Sequence, residues 1–185
     1  MEKFMSKKIF LDMGMHDQQG LTHFIDLLKI DDSWEIHCFE PNPLLLLKNK
    51  YDNLNITIHN KAIWTTNTTV TFGQYGNDGT SQGSLIEETG GSKHYHDFYK
   101  KIEVETIDIY EFLSQFKEED DIYVKMDIEW AEYNVLEYLL SKGIPVNIKK
   151  MWIEWHGKYE EEYINKKNIL KNKLKELNVE LEDWI

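Results

Sequence analysis

The sequence predicts an α/β domain whose core is a mostly parallel sheet with helices on both faces. Three observations predict it. Short apolar runs alternate along the chain with segments of helical periodicity, the order of successive βαβ units. The apolar runs lack the polar alternation of a half-exposed sheet, so both of their faces are buried. Several of them close on a carboxylate, at the edge where a parallel sheet receives its ligand. With 185 residues the chain is long enough for one such domain and short for two, so 1–185 reads as a single domain.

The first run, Lys8 to Asp12, is a buried strand ending in a carboxylate. Leu21, Phe24, Ile25 and Leu28 then recur at helical spacing. Glu35 to Glu40 is a second strand, stopped by Pro41, Asn42 and Pro43. A helix is expected over Leu44 to Lys50, with proline suited to its first turn. Asn55 to Ile63 reads as a third strand, and Thr68 to Phe72, rich in β-branched residues, as its hairpin partner.

The stretch from 73 to about 100 differs, with Gly73, Gly76, Gly79, Gly83, Gly90 and Gly91 among Ser, Thr and Asn. So long a connection is uncommon in a compact domain and is expected to be a lid over a site, the alternative being a plain connection. His94 and His96 within it are candidates for touching substrate. No cysteine cluster supports zinc there.

A strand at Ile102 to Thr106, a helix at Asp108 to Phe116 and an acidic turn at Glu118 to Asp121 follow. Ile122 to Asp127 is a further strand ending in a carboxylate. The helix after it buries Ala131, Val135, Leu136, Leu139 and Leu140 and stops at Gly143 and Pro145. Lys150 to His156 is the next strand. A Lys- and Glu-rich helix comes after it, with Tyr163, Leu170, Leu174 and Leu177 on its buried side, and Val179 to Ile185 is expected as one last strand.

Composition narrows the function. The chain has 33 acidic and 21 basic residues, a formal charge of −12, and every basic side chain is Lys. Such a surface poorly matches a phosphate backbone, so nucleic acid is not favoured as a partner. The single cysteine, Cys38, excludes an intramolecular disulfide and fits a reducing compartment. The chain shows neither a secretory h-region nor an apolar run near the roughly 20 residues of a membrane span. A soluble, cytoplasmic protein without a membrane partner is expected.

The strand-end residues carry the chemistry. Asp12, Glu40, Asp127, Glu154 and His156 all fall at carboxyl ends of expected parallel strands. Carboxylates converging on one crevice repel, so something polar or cationic is expected among them. Glu40 stands where a carboxylate can accept from two ribose hydroxyls. Gly14 and Gly20 flank the turn after the first strand, where glycine permits close backbone approach to a ligand. A dinucleotide enzyme shares these features, but its G-x-G-x-x-G fingerprint is absent: Met15 and His16 follow Gly14. A nicotinamide oxidoreductase is therefore the least favoured class.

Phe39-Glu40-Pro41-Asn42-Pro43, Lys61-Ala62-Ile63, Val124-Lys125-Met126-Asp127-Ile128-Glu129 with Ala131-Glu132, and Ile153-Glu154-Trp155-His156 follow one another in a familiar order and spacing. In these blocks the chain resembles the FkbM-type S-adenosylmethionine-dependent methyltransferases, from the first strand to His156. The resemblance implies a Rossmann-like class I methyltransferase sheet, S-adenosylmethionine as methyl donor and a sugar or natural-product hydroxyl as acceptor. By position it implies that Asp12 and Gly14 line the methionine end of the donor, with Met15, His16 and Gly20 in the same turn. Glu40 would hold the ribose, Pro41 and Asn42 would lie beside the adenosine, and Ala62 and Ile63 would border the adenine. Asp127 would sit near the donor amino group and the transferred methyl.

Two departures stand out. The family pattern has three residues between its first glycines, whereas five separate Gly14 from Gly20. Trp130 stands where the family has Gly, either as a stacking platform for a sugar or packed into the core. Methyltransferases of this type commonly close the sheet with an antiparallel hairpin. Val179 to Ile185 supplies at most one of its strands, so the hairpin is shortened or a partner chain covers that edge in a homo-oligomer.

Methyl transfer to a hydroxyl is an in-line displacement in which the acceptor loses a proton. His156 is the expected base, with Glu154 orienting it, because neutral imidazole is poised near neutral pH. Glu129 and Trp130 are expected on the acceptor side. Capping of the following helix is the structural alternative for His156. A divalent metal at Asp127, Glu154 and His156, with Glu129 beside them, is the less favoured alternative. O-methylation of a sugar or similar hydroxyl compound is thus expected. The alternatives are a catalytically silent donor-binding module and an N-, protein or RNA methyltransferase.

Overall fold

A computed structural model describes residues 6–45, 50–75, 83–85, 100–157 and 159–184. The central sheet is built from β1 (Lys8–Met13), β2 (Glu35–Phe39), β3 (Asn55–His59), β8 (Asp121–Met126), β9 (Ile148–Ile153) and β10 (Glu180–Asp183). Their order is β10-β9-β8-β1-β2-β3, and every pairing is parallel. Strand order reverses at β1, which lies between β2 and β8, so a crevice opens beyond the carboxyl ends there.

Both faces are covered, which is why the strands lack polar alternation. On one face Phe10, Ile36, Cys38 and Trp152 meet Leu21 and Phe24 of α1 (Gln19–Leu28). On the other, Ile9, Leu11 and Met13 pack with α2 (Ile109–Leu113), α3 (Glu132–Lys142) and α4 (Glu161–Glu176). The helices form where the apolar period predicts them: Val135, Leu136 and Leu139 are buried on α3, and Leu170 and Leu174 on α4. Asp108 caps α2, its carboxylate accepting the N–H groups of Tyr110 and Glu111 at 2.8 and 3.1 Å.

A second sheet flanks the first, in the order β4-β7-β5-β6. Its strands are β4 (Ala62–Trp64), β5 (Thr69–Gln74), β6 (Gly83–Leu85) and β7 (Lys100–Asp108). The expected third strand over Asn55 to Ile63 is therefore two strands in two sheets. The chain bends at Asn60 and Lys61, and Ala62 onward pairs in parallel with β7. The expected hairpin of that strand with Thr68 to Phe72 does not form. β7 is nine residues long and offers β5 an antiparallel edge from Thr69↔Glu105 to Gln74↔Lys100.

Other expectations need local correction. α2 ends at Leu113 rather than Phe116, with the Ser114 hydroxyl donating to the Tyr110 carbonyl at 2.7 Å. Leu44, Leu45 and Lys50 lie in turns or bends, and the rest of that expected helix, 46–49, is outside the described residues. Leu177 is 52% exposed because it follows the end of α4 and leaves the helical period. β10 runs parallel to β9, so it is not half of an antiparallel hairpin. Of the glycine-rich stretch, Gly73 and Gln74 close β5, Gly83–Leu85 form β6 and Lys100 opens β7; most of the remainder, His94 and His96 included, lies outside the described residues. Among the described residues no helix is long and apolar enough to cross a membrane.

Candidate active site

A cavity of about 350 Å³ lies beyond the carboxyl ends of β1, β2, β8 and β9. The turn after β1 forms its first wall. Gly14 has φ +83°, and a Cβ there would stand 1.7 Å from the Asp127 carbonyl oxygen. The close approach that demands glycine is thus to the backbone of the neighbouring strand end. Gly20 is different: a Cβ would meet Lys125 at an ordinary 3.6 Å. Between them the longer turn is accommodated by His16 and Gln18 at φ +49° and +72°.

Glu40 closes β2 and is buried at the floor of one end. Its two oxygens each accept one backbone N–H, from His16 at 3.0 Å and Asn42 at 2.8 Å. Burial raises its carboxyl above the ordinary value, against those two donors. A carboxylate oxygen has two lone-pair directions, so each retains acceptor capacity toward the cavity. Asn42 is itself fixed, its side-chain oxygen accepting from Gln74 Nε2 at 2.7 Å and from the Leu44 N–H at 3.1 Å. Met15, Pro41, Ala62 and Ile63 also line this end, with Phe39 and Leu45 adding apolar wall.

Asp127, Glu129 and Glu154 line the other end. Burial and the neighbouring charge of Asp127 push the Glu154 carboxyl up to about 7. Beneath them is Lys125, whose side chain is 4% exposed, with Nζ 3.3 Å from both Asp12 and Asp127 and donating to the Gly14 carbonyl. Burial works to lower the Lys125 pKa, but the two carboxylates outweigh it and hold the ammonium charged. The pair forms across the ladder, because Asp12 and Lys125 are register partners in β1 and β8. Asp12 therefore lies under Lys125 and does not line the cavity.

His156 is arranged differently from the sequence expectation. Its Nε2 lies 3.1 Å from Glu129 and its Nδ1 3.1 Å from Glu132. Burial lowers its pKa, but the two carboxylates overcome this and push it up to about 11. It is an imidazolium held by Glu129 and Glu132 rather than a neutral base oriented by Glu154, and it does not line the cavity. The Tyr133 hydroxyl, donating to the His156 carbonyl at 2.5 Å, and the Ile128 N–H, donating to Glu132 at 2.9 Å, brace the same cluster.

Ligand atoms of Asp127, Glu129 and His156 lie within 4.8 Å of one another. A cation there would require His156 to give up its proton and its bond to Glu129. All three belong to the expected metal set, which also named Glu154.

Trp130 is also off the cavity wall. It is 6% exposed, with its ring 5.1 Å from Tyr163 and 5.8 Å from His156. Its φ of +78° lies in the left-handed region that favours glycine. Of the two readings for Trp130, packing in the core is the one its burial matches.

Several wall residues escaped the sequence reading. A lysine inside the apolar run Ile122 to Asp127 was the available signal for Lys125, since buried lysines are paired. Trp184, directly after β10, lines the cavity, its backbone N–H donating to the Ile153 carbonyl at 2.9 Å. Phe72, Gly83 and Leu85 come from the second sheet, and only tertiary pairing brings them in.

The parallel sheet, its switch-point cavity and the carboxylate directly after β2 make this a Rossmann-like fold. The model of the methyltransferase FkbM domain matches residues 12–185, and the chain belongs to that family. No curated protein and no solved structure matches it. The protein is a methyltransferase.

Proposed function

We propose that the chain transfers a methyl group from S-adenosylmethionine to a hydroxyl of a sugar or similar compound, with Glu154 as the general base. The observation that carries this is one continuous cavity with Glu40 at one end and the Glu154–Asp127 pair at the other. The residues suit the donor. Glu40 has acceptor capacity for two ribose hydroxyls, Ala62 and Ile63 give an apolar wall for a base, and the carboxylates favour a cationic centre. When bound, S-adenosylmethionine supplies an electrophilic methyl on a sulfonium.

Glu154 replaces His156 as the base because a carboxyl near neutrality exists in both states at working pH, whereas the imidazolium has no free lone pair. Lys125 holds the Asp127 carboxylate and the Gly14 carbonyl in place, fixing the turn against the strand end. Glu129 is tied to His156 and borders the acceptor space.

The test is calorimetric titration with S-adenosylhomocysteine, with NAD as control. Micromolar binding is expected, lost by roughly 100-fold in Glu40→Ala because two buried N–H groups and two ribose hydroxyls lose their acceptor. No heat with S-adenosylhomocysteine would overturn the donor assignment. Turnover that disappears in a chelator would overturn the assignment of Glu154 as a base acting without metal.

A further inference from the structure

We infer that Gln74, outside the cavity on the second sheet, is a positioning residue that sets the ribose preference of the donor site by locking the turn that holds Glu40. The inference rests on the donor reading above and adds to it a residue that touches no ligand. Gln74 is 1% exposed and does not line the cavity. It ends β5, which lies between β7 and β6, and it pairs with Lys100 on one side and Gly83 on the other. Phe72, two residues back on the same strand face, lines the cavity, so the Gln74 side chain also projects toward the first sheet. There its Nε2 donates to Asn42 Oδ1 at 2.7 Å, a bond between two buried side chains.

Asn42 carries that bond through to Glu40. Pro41 and Pro43 flank it and have no N–H, so across 41–43 the backbone donor is that of Asn42, given to Glu40 at 2.8 Å. The Asn42 Oδ1 and carbonyl accept the N–H groups of Leu44 and Leu45 at 3.1 and 3.2 Å. The Leu44 N–H can only donate, which fixes both amides: Asn42 presents its oxygen, and Gln74 must present its NH2. A hydrogen bond out of reach of water is stronger than one at the surface, and losing its donor leaves a buried acceptor short of a partner. Without Gln74 the turn loses this tie to the second sheet, and the Asn42 N–H can swing away from Glu40. The Glu40 carboxyl would then meet the ribose out of position. Glu40 touches the ribose, and Gln74 stands two hydrogen bonds behind it.

Calorimetry tests this with S-adenosylhomocysteine and its 2′,3′-dideoxy analogue, which keeps the base and the amino acid but lacks both ribose hydroxyls. The unaltered protein is expected to prefer the ribose form by roughly 100-fold. Two variants are compared with it. Gln74→Met is of similar length without a donor, and Gln74→Asn keeps the amide but is one methylene too short to reach Asn42. In each the preference should fall about tenfold while the dideoxy analogue binds as before, with circular dichroism and thermal melting reporting a folded protein. If Gln74→Met does not fold, Gln74→Asn carries the comparison. An unchanged preference, or equal weakening of both ligands, makes Gln74 a merely structural residue and overturns the inference while the donor reading stands. Equal binding of the two ligands by the unaltered protein overturns it as well. Failure of S-adenosylhomocysteine to bind overturns both.

Discussion

Glu40 and Glu154 sit at opposite ends of one cavity, and burial raises both of their carboxyls, yet they are supported in opposite ways. Glu40 is held by two backbone N–H groups, one from the turn after β1 and one from its own turn. Glu154 faces Asp127, with Glu129 also raising its pKa. A carboxyl held by two backbone donors is fixed in position, which suits a binding contact. One set against like charge gains and loses its proton near neutrality, which suits proton transfer. The contrast teaches that surroundings, not residue type, assign the two roles.

The strongest way to break this comparison is Glu154→Gln. Turnover is expected to fall roughly 10²- to 10⁴-fold, with S-adenosylhomocysteine affinity changed far less, as steady-state rates and calorimetry would show. In the unaltered enzyme kcat/KM should rise as pH passes through about 7, because the base works deprotonated, and Glu154→Gln should flatten that limb. A rate loss matched by an equal loss of donor affinity would make Glu154 a binding residue like Glu40. The raised Glu154 carboxyl also adds stability below its ordinary value that is lost as pH rises through about 7.

His156→Ala sharpens the acceptor side. It leaves Glu132, fully buried, and Glu129 without their cation, and should destabilise the fold by about 3–5 kcal/mol in urea denaturation at neutral pH. The sign with pH follows from a raised histidine. Its contribution is complete below the ordinary value of 6.5 and is lost as pH rises through about 11. The variant should lack that alkaline loss.

The turn after β1 gives the smaller pair. Gly14→Ala places a Cβ against the Asp127 carbonyl at positive φ and should cost about 3 kcal/mol. Gly20→Ala, in α1, meets only ordinary contacts with Lys125 and Trp184 and should change stability by about 1 kcal/mol or less, in the stabilising direction, measured in the same way.

Local signals carried most of the parallel sheet. The apolar runs at Lys8, Glu35 and Ile122 and the period of Val135, Leu136 and Leu139 needed no tertiary knowledge. The second sheet was not legible, because β4 leaves the third strand at a bend and β7 recruits β5 across some 30 residues. At the site, the residues after β1 and β2 fall on the cavity wall because strand ends are countable from sequence. His156 misled because its charge depends on Glu129 and Glu132, whose side chains reach it only after α3 has docked.

Trp130 and Gly157 have a consequence beyond this one molecule. A Cβ on Gly157 would stand 2.8 Å from the Trp130 ring and from Tyr163, so the indole occupies space that a side chain at 157 would need. Trp130, Tyr163 and Gly157 share one space, and a side chain at 157 needs both rings to give way. Trp130→Gly alone opens a void, and a side chain at 157 alone clashes. Changing 130 alone does not free 157, which a lineage can fill only once Tyr163 also yields, and then at a φ of +72°.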